Sequence, residues 1–204
     1  MPTVQTTKEE LIQEEILQAA LKLFQKYGLY KVTMDDIAKF VGKSRSSLYY
    51  YYKSRDEVFD AVMSAIIREV MKEITNLVDE AKTTEKKIQA FCIAKLKTSA
   101  ERRALFSALE AGMGAEEITK HTQAMSAIHQ RIMDWESEFI KQILSYGEKK
   151  GEINPLKKKK QETLIFVLLS SIRGIRREMA HDNDFSKSAE AVGTLTHMFM
   201  LALS

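Results

Sequence analysis

The run Ser44-Arg45-Ser46-Ser47-Leu48-Tyr49-Tyr50-Tyr51-Tyr52 offers a hydrogen-bond donor at nearly every exposed position and holds four of the chain's 7 tyrosines. Hydroxyls of Ser and Tyr, with the free N–H groups of a helix start, are the groups that hold phosphate oxygens. Arg45 adds a planar fork that fits O6 and N7 of a guanine in the major groove. A core has no use for four adjacent tyrosines, because only some of them can face inward on a helix. Between Ile37 and Arg55 the basic residues are Lys39, Lys43, Arg45, Lys53 and Arg55, with no acid among them. Asp35, Asp36, Asp56 and Glu57 restore balance on the flanks, and the net charge of the chain is only +3. A local basic patch on a near-neutral chain suits contact with one narrow strip of polyanion.

Positioning this run requires a helix held at a fixed angle. Apolar residues at Ile12, Ile16, Ala19, Leu23 and Tyr27 recur at helical spacing and predict a first helix over about 8–27, closed by Gly28. Thr33 opens a short second helix with Asp35 and Asp36 in its first turn. Gly42 ends it, and Ser44 caps a third helix running to about Tyr52. Ala38 at the close approach, Gly42 at the turn, and Ile37, Val41 and Leu48 as the apolar lock meet the demands of a helix-turn-helix over Thr33–Tyr52. Ser54 caps a long fourth helix, to about Lys82. Its two apolar stripes, Val58-Val62-Ile66-Val70-Ile74 and Phe59-Met63-Ile67-Met71, predict burial against both a head and a body.

In these residues the chain resembles the TetR family of bacterial regulators. The resemblance rests on Thr33, Ile37-Ala38, Val41-Gly42, Ser44, Leu48-Tyr49, Tyr51-Tyr52, Lys53, Arg55 and Val58, about 50 residues in all, while the remainder matches in length, helicity and layout. Lys43 departs from the valine common there, and its stem can cover the same core while the ammonium reaches solvent or phosphate. The resemblance implies phosphate contacts from Thr33, Ser47, Tyr49, Tyr51, Lys53 and Arg55, and base or groove contacts from Arg45, Ser46 and Tyr50. Which of Tyr50 and Tyr51 touches bases is left open. With Lys43 and Ser44 these residues make up the expected DNA-binding set. Leu48, Tyr52 and Val58 are expected to be structural.

The resemblance also implies an all-α fold with a DNA-binding head over 1–54 and a helical effector-binding and dimerisation body over 55–204. The remaining periodicity agrees. Thr84 opens a helix with Ile88, Phe91, Cys92 and Leu96 inward. Leu105, Phe106, Leu109 and Met113 follow, broken by Gly112 and Gly114. A long segment from Glu116 to Lys150 repeats apolar residues every seven, and Gly151, Asn154 and Pro155 end it. Two last helices, about Lys158–His181 and Ser186 onward, carry the stripes Leu164-Leu168-Ile172-Ile175 and Val192-Leu195-Phe199-Leu203. Leu168, Ile172, Ile175, Val192, Leu195 and Phe199 are the expected interface of a homodimer. The middle helices are expected to enclose a small hydrophobic effector, with Met71, Phe91, Leu96, Phe106, Met113, His121, Met125 and Trp135 as its lining. Methionine adapts to ligands of different shape. Such stripes also serve plain cores.

Other classes find little support. Among the 4 histidines none stand at metal-binding spacing, so no metal or other cofactor is expected. The chain shows no nucleophile with a base, no glycine-rich phosphate loop and no paired carboxylates, so an enzyme is not expected. The single cysteine, Cys92, excludes an intrachain disulfide and fits a reducing cytoplasm, where the chain is expected to act. Met1–Gln13 lacks the apolar stretch of a signal peptide, and the apolar run Leu164–Leu169 is too short to span a bilayer. Four lysines at Lys157–Lys160 oppose a helix dipole, so the helix there is expected to begin late in the run. The leading expectation is a dimeric repressor released from a pseudopalindromic DNA operator by a small hydrophobic effector. Activation, control by a protein partner, or a metabolite- or lipid-binding body with a relic head are the alternatives.

Overall fold

A computed structural model describes residues 7–110, 113–182 and 184–203. Among these residues every regular element is helical: α1 Lys8–Tyr27, a one-turn 3₁₀ helix Leu29–Lys31, α2 Met34–Phe40, α3 Arg45–Tyr51, α4 Arg55–Asp79, α5 Thr84–Glu101, α6 Arg103–Glu110, α7 Ala115–Lys150, α8 Lys158–Asp182 and α9 Ser188–Leu203. The expected break at Gly112 lies outside the described residues.

Local chemistry sets the boundaries. Thr7 and Glu10 form a capping box at the start of α1, and Thr33 and Asp36 form another at the start of α2. Ser44 caps α3 by accepting from the Ser47 N–H at 3.2 Å. Gly28 closes α1, its N–H donating to the Phe24 carbonyl at 2.9 Å. α5 opens at Thr84 as expected, and Thr83 caps it by accepting from the Lys86 N–H at 3.3 Å. The lysine run yields a difference as well: α8 begins at Lys158, near the front of the run. Its first-turn lysines are exposed, so water screens the repulsion that the dipole argument counts against them.

The helices form two compact units. One runs up to Arg68 and takes in Arg103–Ser126; the other comprises Glu69–Arg102 and Ala127–Ser204. In the first, α1 packs on α2 and on α6, and α2 on α3. Ile16, Ala20, Phe24, Ile37, Leu48, Val58 and Met63 are fully buried, and the rings of Phe24 and Phe59 meet edge to face at 6.2 Å. In the second, α5, α8 and α9 pack on one another. Ile88, Phe91, Cys92, Ile140, Leu144, Leu168, Ile172, Val192 and Leu203 are completely enclosed in its core. No helix among the described residues is long and apolar enough to cross a membrane.

Candidate DNA-binding site

The turn between α2 and α3 is tight. Val41 donates to Ile37 O at 3.1 Å, Gly42 to Lys39 O at 3.2 Å and Lys43 to Ala38 O at 2.9 Å. Gly42 sits at φ +65° with nothing within 4 Å of where a Cβ would lie, so backbone conformation and not space demands glycine there. Leu48, 0% exposed, and Tyr52, 7% exposed, are one helical turn apart and anchor α3 to the first unit. That anchoring turns the other side of α3 outward. Arg45, Ser46 and Tyr50 are exposed, Tyr50 at 66%, while Ser47, Tyr49 and Tyr51 are half-buried along the flanks. The structure therefore gathers Arg45, Ser46, Tyr49 and Tyr50 on one accessible face of a single short helix.

Several members of the expected set carry structural duties besides. Arg45 reaches across to α2, with Nε 3.3 Å from Asp35 Oδ1 and Nη1 3.3 Å from Asp35 Oδ2. Its guanidinium lies 5.4 Å from the Tyr49 ring centre. Lys53 folds back over the end of α3, Nζ donating to Tyr49 O at 2.8 Å and Tyr50 O at 3.3 Å. It thus satisfies carbonyls that the helix leaves open. Arg55 stacks on Tyr30 at 4.7 Å and donates to the Tyr30 carbonyl at 3.2 Å, which ties the 3₁₀ helix to the start of α4. The Thr33 hydroxyl donates to Asp36 Oδ2 at 2.6 Å. These Thr33 hydrogen bonds hold the Asp36 carboxyl below the usual carboxylate range. Half-buried Lys43 pairs with Glu15 on α1 at 3.7 Å, so its stem lies where the expected valine would and its ammonium faces outward. The edge-to-face contact of Tyr50 and Tyr51, 5.0 Å apart, fixes the two rings against each other.

Three features escaped the sequence: the Asp35–Arg45 fork, the Tyr30–Arg55 stack, and an open groove of about 470 Å³ on the head between Tyr27, Lys31, Lys39 and Phe40. The first two link residues at separations with no helical period, and nothing but the fold could bring them together.

The other expected sites are distributed differently. Of the effector set, Phe106, Met113, His121 and Met125 belong to the first unit, and Met71, Phe91, Leu96 and Trp135 to the second. His121 is buried with its ring 5.7 Å from Phe59. Phe91 and Leu96 are core, while Trp135 is half-buried and stacks on Phe139 at 5.0 Å. Of the dimer set, Leu168, Ile172, Val192 and Phe199 lie inside their own chain's core, and Ile175 and Leu195 are partly exposed. A side chain fully enclosed in its own chain has no surface left for a second copy. The apolar surface on these helices is instead Phe166 and Val167 of α8 and Met198 and Leu201 of α9, exposed by 65%, 49%, 62% and 63%.

Residues 16–62 match the family model for bacterial regulatory proteins of the TetR family, a span that contains α2, α3 and the turn between them. The HTH-type transcriptional regulator YhgD of Bacillus subtilis is 23% identical over 69% of this chain and 71% of its own. The nucleoid occlusion factor SlmA of Vibrio atlanticus is 31% identical over a shorter stretch, 41% of this chain and 43% of its own. A TetR transcription regulator from Haloarcula marismortui shares the fold with a TM-score of 0.66 at 20% identity, covering 94% of this chain and 97% of that one. The helix pair with its outward-facing α3, locked by Leu48 and Tyr52, thus lies within the span that matches the DNA-binding region of TetR-family bacterial regulatory proteins, and the chain as a whole shares the fold of such regulators.

Proposed function

We propose that the protein is a repressor that binds a pseudopalindromic operator as a homodimer and is released by a small hydrophobic effector. Residues 1–54 read DNA in this proposal, and residues 55–204 bind the effector and the second copy. The observation that carries it is the pair of outward surfaces on one chain: the Arg45-Ser46-Tyr50 face of α3 and the apolar face of α8 and α9. One such α3 reads too few base pairs for tight binding, and two-fold pairing doubles the contact and imposes matched half-sites. Arg45 forks to a guanine, and Ser46, Tyr49 and Tyr50 hold the groove and its phosphates.

Release requires an effector that binds the DNA-free state more tightly than the DNA-bound one. A hundredfold loss of operator affinity corresponds to a difference of about 2.7 kcal/mol, and operator must weaken effector binding by the same factor. A gel shift on the DNA upstream of the chain's own gene tests the proposal, run with and without an apolar extract of the host cell. Retarded DNA that the extract frees is the expected result. Retardation that no extract changes would set the effector aside, and a reporter gene that falls silent when the regulator is deleted would make it an activator.

A further inference from the structure

We infer that the second unit holds a buried receptor for an oxyanion, a carboxylate or phosphoryl group on an otherwise apolar molecule, built from Arg173 of α8 and the Lys95–Glu136 pair of α5 and α7. The inference refines the hydrophobic effector proposed above and rests on that proposal.

Glu136 is 2% exposed and pairs through Oε1 with the Lys95 ammonium, whose side chain is 14% exposed. Burial pushes the Lys95 ammonium down, Glu136 pulls it back up, and Arg176 and Arg173 push it down again. The half-buried Arg173 and the exposed Arg176 thus lie near enough to act on the Lys95–Glu136 pair. Arg176 reaches outward to the Ser99 hydroxyl at 3.2 Å. Arg173 has no such outlet: Nη2 donates to Ser170 Oγ at 3.1 Å, but Nη1 is buried and finds no partner among the described residues. Glu136 Oε2 is buried without a partner in the same way. A guanidinium cannot shed its proton, and buried charged groups left unmatched are rare because each gives up its hydration for nothing. An arriving oxyanion supplies the acceptor that Arg173 Nη1 lacks, with the geometry that a guanidinium fork prefers, while Glu136 Oε2 needs a donor instead.

Arg173 also lines a groove of about 190 Å³ between α7 and α8, whose other walls include Met133, Ile165, Phe166 and Leu169. Ser137, Lys141 and Glu162 complete the lining, so a charged end beside a trough with one apolar side suits an amphipathic acid. The excess of cations selects an anion over a neutral alcohol of the same chain. It also sets the oxyanion against an amine, which Glu136 Oε2 alone would favour.

The test uses the full chain and the fluorescence of Trp135, the residue before Glu136 on α7 and the chain's only tryptophan. Decanoate, decyl phosphate, decan-1-ol and decylamine are titrated below their micellar concentrations. Decanoate or decyl phosphate, or both, should bind at least tenfold tighter than decanol, and their ratio separates a carboxylate from a phosphate receptor. Arg173→Gln should bring the acids down to the level of decanol, while Arg173→Lys, which keeps charge and fold, should retain part of the preference. Decanol equal to the acids in the wild-type chain overturns the oxyanion receptor and leaves the apolar effector standing. Decylamine binding best overturns it in favour of a cation held by Glu136. Binding by none of the four overturns both.

Discussion

Arg45 and Asp35 face each other across the helix-turn-helix, with both carboxylate oxygens 3.3 Å from guanidinium nitrogens. The pair is solvent-exposed, so it contributes little to stability. Its consequence is orientation: the guanidinium is held over Tyr49 before any base arrives. Arg45→Ala should cost about 1–3 kcal/mol and relax preference at one base pair in each half-site. Asp35→Ala should do the reverse to affinity, tightening binding to all DNA by removing an acid beside a polyanion, while discrimination at that same base pair falls. Site selection from a random library reads both effects. An Arg45→Ala profile identical to wild type removes Arg45 from base reading.

Lys53 spends two of its ammonium protons on the Tyr49 and Tyr50 carbonyls. The third is free to point at a phosphate. Lys53→Ala should therefore do two separable things. It should destabilise the last turn of α3 by about 0.3–1 kcal/mol, seen as a lower melting temperature. It should also flatten the dependence of log affinity on log salt by about 0.9 for each head bound. A lower melting temperature with an unaltered salt slope would confine Lys53 to capping.

Cys92 is fully enclosed in the second unit and its thiol is pushed up to about 12, burial being the main cause and Glu136 adding to it while Lys95 opposes. The thiolate is the reactive species, so the folded protein should carry almost none at neutral pH. A thiol reagent should leave the native chain unlabelled over hours and label it fully in denaturant. Rapid labelling of native protein, with loss of operator binding, would favour release by oxidation over release by a ligand.

Most of the helical frame was legible because periodicity and capping residues act locally. Thr33, Ser44, Gly28 and Gly42 do what their types require wherever they stand. The face that α3 turns outward followed from Leu48 and Tyr52 one turn apart. What stayed illegible depends on tertiary partners. Leu164 to Leu169 is apolar without interruption, so period alone could not say which side of α8 points into the core; Leu168 went inward and Phe166 outward. Lys53 and Arg55 looked like free cations because a sequence does not show the carbonyls they bend back to meet. Lys95 and Glu136 stand 41 residues apart and carry no shared pattern that announces a buried pair.

That choice of face decides how to test the proposed dimer. Phe166, Val167, Met198 and Leu201 are exposed apolar side chains, and Met198 also lines an open groove of about 500 Å³ with Ile175, Ala191, Thr194 and Leu195. Isolated exposed apolar residues are ordinary, but four large ones on two neighbouring helices make these helices the surface on which to test the proposed interface. Ser170, Ser171 and Gly174 on α8 allow a second helix to approach closely. Phe166→Asp with Met198→Asp should give a monomer in sedimentation at micromolar concentration, with an unchanged helical circular dichroism signal, because neither side chain supports the chain's own core. Operator affinity should fall by at least a hundredfold, since a single head loses half of the contacts. Leu168→Asp provides the contrast: its side chain is 0% exposed, so burying a charge there should unfold the second unit outright. A dimer that survives Phe166→Asp with Met198→Asp intact would place the interface elsewhere on the body.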